Sequence, residues 1–94
     1  MFESFDPKCD FCARLAAGDY DPKTADSYVV VMTAPSGHMQ VVSRSHIHGV
    51  VGDPITAGFA MQKAAKLASG LGICEIATKA NGTPEHLHLD VLLR

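Results

Sequence analysis

The stretch His86-Leu87-His88-Leu89-Asp90-Val91-Leu92 interleaves two imidazoles and a carboxylate with aliphatic residues. Successive side chains of a β-strand point to opposite faces, so His86, His88 and Asp90 share one face, with neighbours about 7 Å apart along it. Leu87, Leu89 and Val91 then point into the core. A half-buried strand with an inert polar face usually carries Thr, Lys or Glu there. Two of the chain's five histidines beside a carboxylate suggest chemistry instead. Imidazole titrates near neutral pH and serves as nucleophile, base or metal ligand. Two histidines and one carboxylate could also hold an open iron or zinc site. His-x-His-x-Asp further resembles the opening of the metallo-β-lactamase-type motif, but Val91 stands where that motif has its final His.

A second chemical feature is Cys9-Asp10-Phe11-Cys12. A Cys-x-x-Cys pair reads as half of a zinc site or as a redox pair. A redox pair of the thioredoxin kind would follow a strand and carry Gly-Pro between its cysteines. Here Asp6-Pro7-Lys8 precedes the pair and reads as a turn, which favours zinc. The third cysteine, Cys74, falls in a predicted strand and reads as an unpaired core residue.

The elements that must position these groups follow from periodicity and turn signals. Asp10 to Ala17 reads as a short helix closed by Gly18, and Asp21-Pro22 as a turn. Tyr28 to Thr33 and His38 to Ser43 read as strands joined through Ala34-Pro35-Ser36-Gly37, a hairpin. Asp53-Pro54 is a cap and first helical position. The helix it opens has an apolar stripe of Ile55, Phe59, Met61, Ala64, Ala65, Leu67 and Ala68, expected to face the core, and ends at Gly70 and Gly72. Leu71 to Ala80 contains a third strand marked by Ile73 and Ile76. Asn81-Gly82 is a turn, and His86 to Leu92 is the last strand. The pattern predicts an α+β domain with an antiparallel sheet and helices over one of its faces.

Four of these elements in order resemble the histidine-triad (HIT) family, over Cys9 to Arg94. Its signature on the last strand is His-φ-His-φ-His-φ-φ, with φ apolar, and this chain matches it except at Asp90. Gly37-His38 followed by His46 resembles the family's Gly-His strand and second histidine. Cys9 and Cys12 resemble the cysteine pair of its zinc-bearing bacterial members, and Asn81-Gly82 the turn before the triad. The resemblance implies a five-stranded antiparallel sheet with two helices, paired as a homodimer across the helix starting at Asp53. It implies nucleotides or nucleotide-like phosphate esters as substrates, cleaved at the α-phosphate by hydrolysis or transfer.

By position, His88 would be the nucleophile, forming a nucleotidyl-histidine. The catalytic set would also include His86, His38 beside the phosphate, and Asp90 in the place of the third histidine. Asn81 would contact phosphate. Cys9, Cys12, His46 and His86 would hold a structural zinc ion. His48 has no role in this scheme and reads as a surface residue.

Three departures from the family pattern matter chemically. Asp90 is acceptor-only when ionised and repels phosphate. Thr83-Pro84-Glu85 shortens the loop before the triad and lacks its phosphate-touching Gln or Ser. Val29 to Thr33 lacks the acid that would bind ribose hydroxyls. These departures suggest an alternative, a catalytically impaired, zinc-stapled nucleotide-binding module.

Composition bounds the remaining possibilities. Ninety-four residues suit one domain, 1–94. Such a short chain buries only roughly 60–65% of its unfolded surface, so a metal or partner subunit would help stabilise it. With net charge −2 there is no basic patch for a nucleic-acid duplex and no polybasic membrane tether. The start lacks the apolar run of a signal peptide, and an odd cysteine count argues against a secreted disulfide framework. A cytoplasmic protein is expected.

Overall fold

The computed structural model describes residues 8–47, 53–72, 74–77 and 86–93. Along the chain they form α1 (Asp10–Ala16), β1 (Val29–Thr33), β2 (Met39–Ser43), α2 (Pro54–Ser69), β3 (Cys74–Ala77) and β4 (His88–Leu93). The β1–β2 hairpin closes where the Gly37 N–H donates to the Ala34 carbonyl at 2.8 Å, and Ala34 N–H donates to the His38 carbonyl at the same distance. Gly37 has φ 96°, a conformation that disfavours any residue with a Cβ. α2 starts as its sequence predicts. The Asp53 carboxylate accepts from the N–H groups of Ile55 and Thr56, and Pro54 occupies the first turn.

The described strands form one antiparallel sheet in the order β1-β2-β4-β3. The resemblance implied five strands; four are found among the described residues. The segment before β1 does run along the sheet edge, and Asp21 N–H donates to the Val31 carbonyl at 2.9 Å. Pro22 follows and has no N–H to continue a ladder. The chain then folds onto its own acids: Lys23 N–H donates to the Asp21 carboxylate, and the Tyr28 and Val29 N–H groups to that of Asp26.

Both faces of the sheet are covered. On one, Val29, Val31, Val41, Leu89 and Val91 pack with Ala60 and Ala64 of α2. On the other, Val30, Met32 and Val42 pack with Cys9, Phe11 and Cys12. The expected placement of both helices on one face is therefore corrected, because α1 lies against the opposite side from α2. The expected core stripe of α2 is corrected as well. Its buried residues are Thr56, Ala60 and Ala64, with Leu67 and Ala68 partly buried. Ile55 is 71% exposed, and Phe59, Met61 and Ala65 also face outward. Small side chains at four-residue spacing let the helix approach a sheet already filled by Val and Leu. Residues one position earlier are turned about 100° away, as 3.6 residues per turn require. Phe59 stacks on Tyr28, with ring centroids 4.3 Å apart. Among the described residues no helix is long and apolar enough to cross a membrane.

Leu89 links β4 to α2 and is 1% exposed. Leu89→Ala is expected to cost about 2–5 kcal/mol in urea unfolding. A loss under about 1 kcal/mol would contradict this packing.

Candidate functional site

The face of β4 opposite α2 carries the expected residues. In the β2–β4 pairing, Val42 lies opposite His88 and Gln40 opposite Asp90, while Val41 and Met39 lie opposite Leu89 and Val91. The alternation read from the sequence is observed, but the polar side is closed in by the N-terminal segment. His86, His88 and Asp90 are 2%, 3% and 3% exposed.

His86 precedes β4 and is held at both ring nitrogens. Its Nε2 lies 2.8 Å from the Ser43 carbonyl, which can only accept, so that nitrogen carries the proton. Nδ1 is left with a lone pair, directed at Cys9 Sγ (3.4 Å) and Cys12 Sγ (3.6 Å). His46 Nδ1 is 3.2 Å from His86 Nδ1 and 3.3 Å from Cys12 Sγ. Burial, reinforced by the nearby His46 and His88, pushes the His86 pKa down to about 4, so the ring is neutral at pH 7. Cys9 caps α1 and Cys12 lies one turn in, a spacing that brings both sulfurs to one side. The ligand atoms of Cys9, Cys12, His46 and His86 all lie within 4.8 Å of one another, and all four residues are buried. Two thiols and two imidazoles so arranged, with one carbonyl fixing the tautomer of His86, make a donor set that could hold a metal ion.

His88 occupies the next position on this face. Its Nδ1 donates to the His86 carbonyl at 2.9 Å, which leaves the lone pair on Nε2. That Nε2 lies 3.7 Å from Asp90 Oδ2, beyond hydrogen-bond reach. The Phe11 ring covers the imidazole with a centroid separation of 4.8 Å.

Asp90 takes two hydrogen bonds on Oδ1, from His38 Nε2 and Gln40 Nε2, each at 2.9 Å. Burial alone would raise its pKa. The donors Gln40 and His38, with the electrostatic attraction of the neighbouring His88 and His38 rings, outweigh that and hold the carboxyl below its ordinary range. Asp90 is thus an anion at pH 7. It joins His38 and His88 into one cluster, as the sequence led one to expect of those residues.

Asn81 lies outside the described residues, as do His48 and the Thr83-Pro84-Glu85 loop; the side chain of Cys74 is likewise undescribed. Three contributors were not marked by the sequence pattern. Gln40 is a lone amide in an apolar strand, and its oddity there was the available signal. Phe11 hid as a spacer between the cysteines. Ser36, in the hairpin turn, lies 2.7 Å from His38 Nδ1.

The Asp90 charge gives a pH dependence with a definite sign. A carboxyl whose folded pKa lies below its unfolded value of 3.8 contributes stability that is complete above that value and lost as pH falls through the folded one. Asp90→Asn should therefore be less stable than the parent by a constant margin from pH 7 to about pH 5, and the margin should close below pH 3.8. A margin unchanged in strong acid, measured by urea unfolding, would contradict the assignment.

No protein-family model matches this sequence, and no curated protein matches it. Among solved structures, the chain is similar to a HIT family hydrolase from Clostridium thermocellum, with a TM-score of 0.76 and 21% identity over 95% of this chain and 92% of that one. The architecture of this chain, an α+β domain with two helices on an antiparallel sheet, is accordingly that of the HIT fold.

Proposed function

We propose that this chain is a HIT-like nucleotide hydrolase or transferase acting at an α-phosphate through a nucleotidyl-histidine intermediate on His88. The observation that carries this reading is the state of His88. Its Nδ1 proton is committed to the His86 carbonyl, so the Nε2 lone pair is the nucleophile, on a ring held between that carbonyl and Phe11. Nε2 would attack phosphorus as the leaving group departs, and water or another acceptor would then release the nucleotide. His38 would lie beside the phosphate, with Asn81 as a further contact implied by the resemblance. Asp90 is a positioning residue that orients His38. As an anion it has no proton to give a departing amine, so substrates with good leaving groups, such as dinucleoside polyphosphates, suit this site better than phosphoramidates.

Zinc is the metal proposed for Cys9, Cys12, His46 and His86. When bound it would supply a structural crosslink between the N-terminal segment and the sheet. A cytoplasmic setting would keep both thiols reduced for it. The outward residues Ile55, Phe59 and Met61 of α2, with Tyr28 stacked beside them, support homodimer pairing across this helix.

The second reading, a nucleotide-binding module with impaired chemistry, is favoured by one observation. The Asp90 carboxylate lies 3.7 Å from His88 Nε2, and as an anion it would repel a phosphate approaching that nitrogen.

Incubation with a dinucleoside polyphosphate should give turnover that His88→Ala lowers by at least roughly 100-fold. Equal rates for the two proteins would remove the catalytic claim. Calorimetric binding of mononucleotide without turnover would favour the module, and Asp90→His should then restore activity. Protein purified without chelators should carry zinc, a single ion per chain. Stripping it should lower the melting midpoint by at least roughly 4 °C, the shift that about 1 kcal/mol produces in a small domain. Protein without metal and with both thiols freely titratable would contradict the zinc assignment.

A further inference from the structure

The hairpin turn and β4 together build a hydrogen-bonded line whose outer member, Ser36, has no part in nucleotide chemistry on His88. Ser36 Oγ lies 2.7 Å from His38 Nδ1, and His38 Nε2 lies 2.9 Å from Asp90 Oδ1. The carboxylate can only accept, so Nε2 carries the proton and Nδ1 presents its lone pair to the serine hydroxyl. This is the tautomer a general base needs, and it is imposed by an acid from a distant strand. Asp90 is itself immobilised by Gln40, whose Nε2 donates to the same oxygen at 2.9 Å. A hydroxyl bonded to a histidine two residues on is in itself a common feature of turns. Here, however, the base is oriented by a third, buried group, the arrangement that activates a nucleophilic hydroxyl. Ser36 is exposed, so an external substrate can reach Oγ, whereas Asp90 is closed off from solvent.

The geometry points to Ser36 as a second nucleophile, with His38 as its base and Asp90 as the positioning residue, acting on small neutral carboxylic esters. The anionic carboxylate at the far end of the line disfavours a phosphate here but does not repel an uncharged carbonyl carbon. Ser36 Oγ would bond to that carbon while its proton passes to His38 Nδ1. The bond to the leaving alkoxide would break, and His38 would return the proton to that oxygen. Water would then attack the acyl-serine, giving its proton to His38 and releasing the carboxylic acid as Ser36 regains its hydrogen.

This inference shares His38 and Asp90 with the nucleotide reading but differs from it in the nucleophile, Ser36 and not His88, so an adduct located on Ser36 or on His88 tells the two apart. The test is covalent labelling with a fluorophosphonate probe, with the adduct located by peptide mass mapping, alongside hydrolysis of p-nitrophenyl acetate. The parent protein should carry the adduct on Ser36. Ser36→Ala should lose it with an unchanged melting midpoint, while Ser69→Ala, at the exposed end of α2, should label as the parent does. Asp90→Asn should lower the maximal labelling rate by at least about tenfold with the half-saturating probe concentration unchanged, a split that a merely structural role would not produce. An adduct on a histidine or lysine, labelling of Ser36→Ala at the parental rate, or no adduct at millimolar probe would each overturn the proposal.

Discussion

The register between β2 and β4 is the constraint on which the remaining structure depends. Val42 opposite His88 and Gln40 opposite Asp90 put the polar groups of β4 on one side and Leu89 and Val91 on the other. A slip of one residue would drive His88 and Asp90 into the helix-packed core and expel Leu89 and Val91 from it. The aliphatic side therefore enforces the register, and the chemical side inherits its precision from that packing. The same pairing brings Gln40 within reach of Asp90, so the carboxylate meets a donor as a consequence of the ladder itself.

His86 connects two regions that would otherwise be independent. Its imidazole belongs to the cysteine–histidine cluster, and its backbone carbonyl holds the proton of His88 Nδ1. A metal drawn into the cluster would fix the His86 ring, and with it the stretch of backbone that orients His88. Phe11 reinforces the link, since it lies between the two cysteines in sequence and against both the His86 and His88 rings in space. A ninety-four-residue chain with a small core gains from such double use, because each ordered residue serves both stability and site geometry.

Much of this was legible in the sequence, for identifiable reasons. The alternation from His86 to Val91, the hairpin through Gly37 and the Asp53-Pro54 helix start each rest on local rules, and each is observed. The clustering of Cys9, Cys12, His46 and His86 was legible only through resemblance, since no local rule joins residues so far apart. The inner face of α2 was misread because its alanines made the helix apolar nearly all round. Only tertiary packing distinguishes Ala60, buried in the core cluster, from Phe59, which is exposed and stacks on Tyr28. Among the described residues four strands stand in place of the expected five, and at the β1 edge Pro22, which has no N–H, ends the pairing that Asp21 begins. The roles of Gln40 and Ser36 exist only once β2 and β4 are paired, and of the two only Gln40, a lone amide among apolar residues, stands out in the sequence.

The central claim is that the Nε2 of His88 is the nucleophilic atom of this site. The most direct measurement is to trap the covalent intermediate. The protein would be mixed with a dinucleoside polyphosphate, quenched within the first turnover under denaturing alkaline conditions that preserve a phosphorus–nitrogen bond, and its peptides weighed. The account predicts a single nucleotidyl adduct on the peptide carrying His88. Substrate consumption with no adduct, or with the adduct on another residue, would contradict it.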